Sequence, residues 1–194
     1  MLSLTLSACV PPQDQHFQTG AYPALTDVYW FQGVSGGPVA VDAAGNIWQA
    51  DEDIGSEEPR VELITRQGKL TFIRDPSITD PHAVVIAPDK TVWIANAGAE
   101  YFPQVYASLT RVWPTPMRSI RLPHKTADVE GIIFENNGAA WFSETDLNRV
   151  GVVRPNGRIV EYQIPFVAGP RKLYLIDGVE YLSTAMLRKT RYLR

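Results

Sequence analysis

GIIFENNGAAWFSETDLNRVGVVRPNGRIVEYQIP, residues 131–165, contains four short apolar segments joined by polar turns. Two of the turns carry Asn137-Gly138 and Asn156-Gly157, pairs that hairpin turns favour because both residue types tolerate positive φ. Helical periodicity is nearly absent from the chain. The stretch therefore predicts a four-stranded antiparallel sheet between Glu130 and Pro165.

The first half of this unit recurs twice upstream, each time around a tryptophan. GPVAVDAAGNIWQADED surrounds Trp48, and PHAVVIAPDKTVWIANAG surrounds Trp93. With Trp141, the tryptophans are 45 and 48 residues apart. A period in the forties with paired strands in each unit is typical of β-propeller blades. The sequence predicts an all-β fold, a β-propeller of four-stranded blades whose tryptophans lie in the blade core.

The repeat divides the chain into a leader or tether at residues 1–20 and a propeller domain at 21–194. The predicted units cover 37–75, 81–123 and 130–165, with a half unit at 170–194 in which Tyr181 replaces the tryptophan. Val28–Phe31 is a candidate strand of an incomplete unit. About three full blades with partial ones predict either a fragment of a larger propeller or a small closed ring. The fragment is favoured because the repeat stops without a capping unit.

Composition excludes several classes of function. The 194 residues are 45% hydrophobic and 20% charged, which excludes disorder. A net charge of −3 gives no general attraction to nucleic acid. No apolar run is long enough to span a membrane, so membrane attachment is expected only through a lipid.

Cys9 is the one cysteine, so an internal disulfide is excluded. Leu6-Ser7-Ala8-Cys9 is similar to a bacterial lipobox, in which the cysteine is lipidated, and the polar residues after it are typical of a tether. The eight residues before Cys9 are shorter than an export signal. Lipidation of Cys9 predicts a cell-envelope or extracellular location, and a cytoplasmic location follows if the likeness is accidental.

Residues 131–165 closely resemble a blade of the streptogramin lyases, the virginiamycin B lyase family. The shared pattern is a Trp-Phe pair, a Ser-Glu pair, an Asn before a Val-Gly strand, Pro-x-Gly and a closing Glu-Tyr-x-x-Pro; it extends more loosely over 37–182. The resemblance implies a seven-bladed propeller and a Mg²⁺-assisted elimination that opens a cyclic depsipeptide at an ester. It also implies a site at the central channel, where Pro-His motifs begin successive first strands.

One such motif is present, Asp80-Pro81-His82-Ala83. The resemblance assigns His82 as the general base, and the ordinary histidine pKa near 6.5 suits that role. Glu130 takes the matching place in unit three and is the second candidate catalytic residue. Asp80, Asp128 and Glu130 are candidate oxygen ligands for Mg²⁺ or Ca²⁺. The matching positions of units one and four are predicted at Gly37 and at Gly169 or Pro170.

Three other sequence features are predicted to have no role in catalysis or binding. Glu144 is expected to accept hydrogen bonds from turn backbone or to pair with Arg149. The acidic loop from Asp51 to Pro59 lacks the order of an EF-hand and is expected to be a solvated surface. Gly33–Gly37 fits G-x-S-x-G, but a strand rather than a helix is predicted after it, which excludes a nucleophile elbow.

Three functions remain open at this point. The first is a lyase-like enzyme, a carbon–oxygen lyase or an inactive relative of one. The second is a non-catalytic propeller of the cell envelope that binds a small molecule or a cyclic peptide at its channel. The third is a Ca²⁺-dependent hydrolase similar to lactonases. An exposed end blade also predicts dimers formed by edge pairing.

Overall fold

Antiparallel strands account for the regular structure of the part of the chain that the computed structural model describes. That part comprises residues 37–51, 59–98, 106–164, 169–176, 179–184 and 190–191, and it contains no helix that could cross a membrane. The predictions for Cys9 and the leader, for Val28–Phe31, for the G-x-S-x-G motif and for the interior of the acidic loop lie outside these residues.

Fifteen strands form four sheets among the described residues. Unit one contains β1 (Val39–Val41), β2 (Ile47–Asp51), β3 (Arg60–Ile64) and β4 (Leu70–Ile73). Unit two contains β5 (Pro81–Ile86), β6 (Val92–Asn96), β7 (Ser108–Trp113) and β8 (Arg118–Arg121). Unit three contains β9 (Gly131–Phe134), β10 (Ala140–Glu144), β11 (Arg149–Val153) and β12 (Ile159–Gln163). Unit four contains β13 (Pro170–Ile176), β14 (Val179–Thr184) and β15 (Thr190–Arg191).

Within every unit, each strand pairs with the next one along the chain. This meander confirms the four-stranded blades predicted for units one to three. Unit four has a short third strand, β15, where the sequence predicted only half a blade. The predicted hairpin turns are also present, since Gly138 and Gly157 have φ of +87° and +81°.

Neighbouring units are joined through the second strand, whose successive side chains point to opposite faces of the sheet. In β10, the buried Phe142 packs with Leu109 of unit two and with Ala127 of the segment between β8 and β9, whereas Trp141 packs with Leu173 of unit four. Trp48 likewise packs against Val84 and Ile94 of unit two. The tryptophans are thus interblade core residues, as the sequence predicted.

Each tryptophan also has a polar partner at the hairpin before its strand. The indole N–H of Trp48 donates to Asp42 Oδ2, that of Trp93 to Thr91 Oγ1 and that of Trp141 to Glu135 Oε1. A buried indole N–H needs such an acceptor because an unpaired donor is costly away from water. The turn residues therefore allow a large ring to be buried between blades.

Gly151 allows the Phe142 ring to lie directly on the adjacent strand. The two residues are paired between β10 and β11, and a Cβ atom on Gly151 would lie 2.1 Å from Phe142 Cζ. That separation is far inside van der Waals contact. Glycine is required at this position by packing, since its φ is not positive.

A buried polar residue stands three positions after each of the three second-strand tryptophans, Trp48, Trp93 and Trp141: Asp51, Asn96 and Glu144. Asp51 pairs with Arg60 at 2.9 Å, and the Asn96 amide donates to Ser108 and Thr110. The expectation for Glu144 was wrong. Neither of its carboxylate oxygens has a hydrogen-bond partner, because the Arg149 guanidinium contacts Gln163, His124 and Glu161 instead.

We predict that Gly151→Ala lowers the free energy of unfolding by about 1–3 kcal/mol, because the added methyl group overlaps the Phe142 ring. Urea denaturation followed by tryptophan fluorescence measures this loss. The double variant Gly151→Ala, Phe142→Leu should lose less stability than the sum of the two single variants, since the smaller side chain relieves the overlap. Additive losses would contradict the packing explanation.

Candidate functional site

Charged side chains gather where the first strands of units two, three and four begin. The strands β1, β5, β9 and β13 lie side by side in that order, as the innermost strands of propeller blades do. Unit two supplies Asp80 and His82, unit three supplies Asp128 and Glu130, and unit four supplies Arg171 and Lys172. We call these six residues the first-strand site.

His82 lies between two aspartates that come from different units. Its Nε2 is 3.1 Å from Asp80 Oδ1, and its Nδ1 is 3.2 Å from Asp128 Oδ1. The Asp128 contact has the distance of an ion pair without the alignment of a hydrogen bond. Both ring nitrogens are therefore occupied by carboxylates.

A β-bulge gives His82 this position. Pro81 pairs with Asn96 and Ala83 pairs with Ala95, which leaves His82 as the extra residue of β5. A bulge turns the side chain of the extra residue away from the regular alternation of the strand. Unit two thus presents the imidazole to unit three at the end of the sheet.

The two aspartates hold the imidazole in its charged form. Contact with Asp128 first, and then with Asp80, raises the pKa of His82 from 6.5 to about 10, against the opposing effect of burial. At neutral pH the ring is an imidazolium, which has no lone pair to accept a proton. The general-base role expected of His82 therefore requires the ring to lose this proton and one aspartate contact first.

Glu130 contacts the two cationic side chains that unit four contributes to the site. Arg171 Nη1 lies 3.0 Å from Glu130 Oε1 and donates to Oε2 at 3.2 Å. Lys172 Nζ donates to the backbone carbonyl of Glu130 at 2.9 Å and lies 3.5 Å from that of His82. Burial, and then the charge of Asp128, raise the pKa of the Glu130 carboxyl, while Arg171 and Lys172 oppose this change.

Close contact between β9 and β13 makes the pairing of Glu130 with Arg171 possible. A Cβ atom on Gly131 would lie 2.4 Å from the Arg171 carbonyl oxygen, so only glycine fits there. The Ser143 hydroxyl donates to the same carbonyl at 2.5 Å. These contacts place the first residues of β13 directly beside Glu130.

The three carboxylates predicted as metal ligands do not converge on one point. Asp80 and Asp128 stand on opposite sides of His82, and Glu130 is paired with Arg171. In the described part of the chain, the cluster with metal-ligand spacing contains none of these three carboxylates. His82 separates Asp80 from Asp128, and binding of Mg²⁺ by these three carboxylates stays a prediction.

The sequence predicted four of these six residues and did not indicate Arg171 and Lys172 of unit four. The expected equivalent of His82 in unit four, Gly169 or Pro170, is corrected to Arg171. In the pairing of β13 with β14, Tyr174 is opposite Tyr181, and a register shift follows Pro170. Pro170-Arg171 thus repeats the bulged Pro81-His82 arrangement, and this repeated proline was the signal available in the sequence.

Comparison with known proteins identifies the fold. A virginiamycin B lyase from Staphylococcus aureus superimposes with a TM-score of 0.63 and 21% identity, over 80% of this chain and 54% of that chain. A streptogramin B lyase gives 0.61 and 22%, over 76% and 47% of the two chains.

The fold is that of a β-propeller. A gluconolactonase from Xanthomonas campestris is also similar, with a TM-score of 0.57, 17% identity, and coverage of 75% of this chain and 52% of that one. The chain spans about half the length of these structures. No protein-family model and no curated protein sequence matches it.

The pKa of His82 predicts a specific dependence of stability on pH. Below about pH 6.5, the ring is charged in both the folded and the unfolded chain, and its stabilising contribution is fully present. The contribution falls as the pH rises from there and is lost above about pH 10, since only the folded chain retains the proton in this range.

The difference in unfolding free energy between the wild type and His82→Gln, measured from pH 6 to pH 10, should therefore shrink steadily. Titration of the imidazole by NMR should give a high midpoint, and Asp128→Asn should lower it more than Asp80→Asn. A wild-type midpoint near 6.5 would contradict the double ion pair.

Proposed function

We propose that the first-strand site binds a neutral small molecule rich in hydrogen-bonding groups, and that this ligand is a cyclic peptide or depsipeptide. The observation that carries this proposal is the charge balance of the site. Three carboxylates, from Asp80, Asp128 and Glu130, stand beside three cationic groups, from His82, Arg171 and Lys172. Such a surface offers donors and acceptors together without a net field that would select an anion or a cation.

Several groups of the site are available to a ligand. Arg171 is paired with Glu130, yet about half of its side chain is exposed to solvent. The side chains of Asp80, His82 and Asp128 are each about a fifth to a quarter exposed. Peptide carbonyls accept from guanidinium groups and peptide N–H groups donate to carboxylates, so this mixture suits an amide-rich ring.

An eliminative lyase is the second candidate, favoured by the Asp80-Pro81-His82-Ala83 motif and by the likeness to lyase structures. In this reaction a base takes a proton from the carbon next to the one that bears the ester oxygen, and the C–H electrons form an alkene. The alkyl C–O bond breaks and the ester leaves as a carboxylate. His82 would act only after releasing its own proton. Turnover should therefore increase with pH toward the high pKa of His82.

Binding and turnover can be separated with a streptogramin B-type depsipeptide as the probe. Isothermal titration with the wild type should show binding, and Arg171→Met should weaken it about tenfold or more through the loss of a charged hydrogen bond. Arg154→Met, which removes an exposed arginine of the β11–β12 turn, is the matched control and should leave binding unchanged. Equal affinities for all three proteins, or no binding at all, would refute the proposal.

Mass spectrometry of the incubated probe distinguishes the chemical alternatives. Elimination opens the ring without changing its mass, whereas a lactonase-like hydrolysis adds the mass of one water. An unchanged ring together with measurable binding supports the non-catalytic propeller. Mg²⁺ binding, lipid attachment through Cys9, an envelope location and edge-mediated dimers remain predictions.

A further inference from the structure

A second group of ionisable side chains lies between units two and three. His124 belongs to the segment that connects β8 to β9, Glu144 ends β10, and Glu161 lies in β12. One ligand atom from each residue lies within 4.8 Å of the other two. We call these three residues the interblade cluster, and it shares no residue with the first-strand site.

Glu144 is the residue that calls for an explanation. Its side chain is fully buried, and neither carboxylate oxygen has a hydrogen-bond partner. Glu161 Oε1 is also buried without a partner. Native proteins rarely leave buried carboxylate oxygens unpaired, because a charge without partners in a low-dielectric environment is strongly disfavoured. Two such carboxylates in one cluster indicate that a positive ligand is needed there.

In units one and two, the buried polar residue at the position of Glu144 has a partner within its own blade. In unit one, the buried Asp51 is bonded by Arg60 from the facing position of β3. In unit two, the buried Asn96 is neutral and is bonded by the hydroxyls of Ser108 and Thr110. Unit one also has a second buried carboxylate, Glu62, and Arg60 contacts it at 3.0 Å in addition to Asp51. In unit three the second carboxylate is Glu161, and Arg149 contacts it but makes no hydrogen bond to Glu144.

We propose that His124, Glu144 and Glu161 bind a divalent transition-metal ion of the Zn²⁺ type between units two and three. One imidazole nitrogen and two carboxylate oxygens form a ligand set that Zn²⁺ accepts, with a fourth position open to water. An imidazole ligand favours such ions over Mg²⁺ and Ca²⁺, which prefer oxygen alone. Bonds of about 2.0–2.2 Å require the ligand atoms to approach to roughly 3.5 Å, which side-chain rotation can provide.

Arg149 is the competitor for this position. Its guanidinium contacts His124 Nε2 and lies 3.5 Å from Glu161 Oε2. His124 Nε2 also lies 2.9 Å from Glu161 Oε2, and one nitrogen cannot both accept from Arg149 and donate to Glu161. About a third of the Arg149 side chain is exposed, so it can turn to solvent and leave the nitrogen lone pair for the metal.

The consequence for the fold is a link between blades. His124 is carried by the segment that leaves unit two, whereas both carboxylates belong to unit three. A bound ion would therefore add a third link between two units that already meet through apolar side chains and through the contact of His82 with Asp128. Because the ion would bind only the folded chain, the free energy of unfolding should rise with the logarithm of the ion concentration once that exceeds the Kd.

The test uses the full chain and Zn²⁺ itself, after treatment with a chelator. Isothermal titration and thermal melting of the wild type should show binding and a rise in the melting temperature. Glu144→Gln, which preserves shape and removes a buried charge, should weaken binding at least tenfold. Arg149→Gln should strengthen binding several-fold, because the competing cation is gone. Co²⁺ serves as a spectroscopic probe, and its visible absorption should disappear in His124→Asn.

Controls separate this cluster from the first-strand site. His82→Gln should bind Zn²⁺ as the wild type does, and Mg²⁺ should bind the wild type at least a hundredfold more weakly than Zn²⁺. The proposal is overturned if the wild type binds no Zn²⁺, if Glu144→Gln binds it equally well, or if His82→Gln abolishes binding. Circular dichroism of each variant confirms that its sheets are formed.

Discussion

The side chains of each second strand pack alternately on the blade before it and the blade after it, and the rest of this structure depends on this packing. In β10, Trp141 points to the following unit and Phe142 to the preceding one, so a single strand joins three sheets. Because adjacent residues of a strand face opposite ways, no other element is needed between the blades. This stacking brings β5, β9 and β13 together at one axis, and the first-strand site exists only because those strands meet there.

The first-strand site shows how irregular strand pairing gathers charged side chains from three blades. Regular pairing would point successive side chains of β5 and β13 above and below their sheets. The bulges after Pro81 and Pro170 instead direct His82 and Arg171 toward carboxylates of the unit between them. Unit three consequently meets a cation on each side, with Asp128 beside His82 and Glu130 beside Arg171. The contacts of Asp128 with His82 and of Glu130 with Arg171 cross blade boundaries and reduce the cost of partly dehydrating these charges.

Much of the fold was predictable because the signals for it are local. Strand alternation and the Asn-Gly turns act within one blade, and the tryptophan period repeats that blade along the chain, so the four-stranded sheets could be predicted. The role of His82 was less predictable, because its protonation depends on Asp128, which is 46 residues away in sequence and belongs to another sheet. Arg171 was missed because Tyr181 pairs with a residue seven positions earlier, whereas Trp93 and Trp141 pair with residues eight positions earlier, so counting back from Tyr181 gives Pro170. The repeated proline before His82 and Arg171 was the signal that could have corrected the count.

The position three residues after each tryptophan explains why a repeat can keep its fold while its chemistry diverges. Asp51, Asn96 and Glu144 occupy the same buried place, yet one is paired with an arginine, one with hydroxyls and one with neither. Burial raises the pKa of Glu144 to about 7, with the charge of Glu161 adding to the effect, so its carboxyl is balanced between two protonation states near neutral pH. The apolar neighbours that hold the blade together tolerate each of these arrangements, because the polar groups lie at the strand end beyond the Trp141 and Phe142 contacts. Blade packing and the chemistry of the blade ends are therefore separate constraints on the same strand.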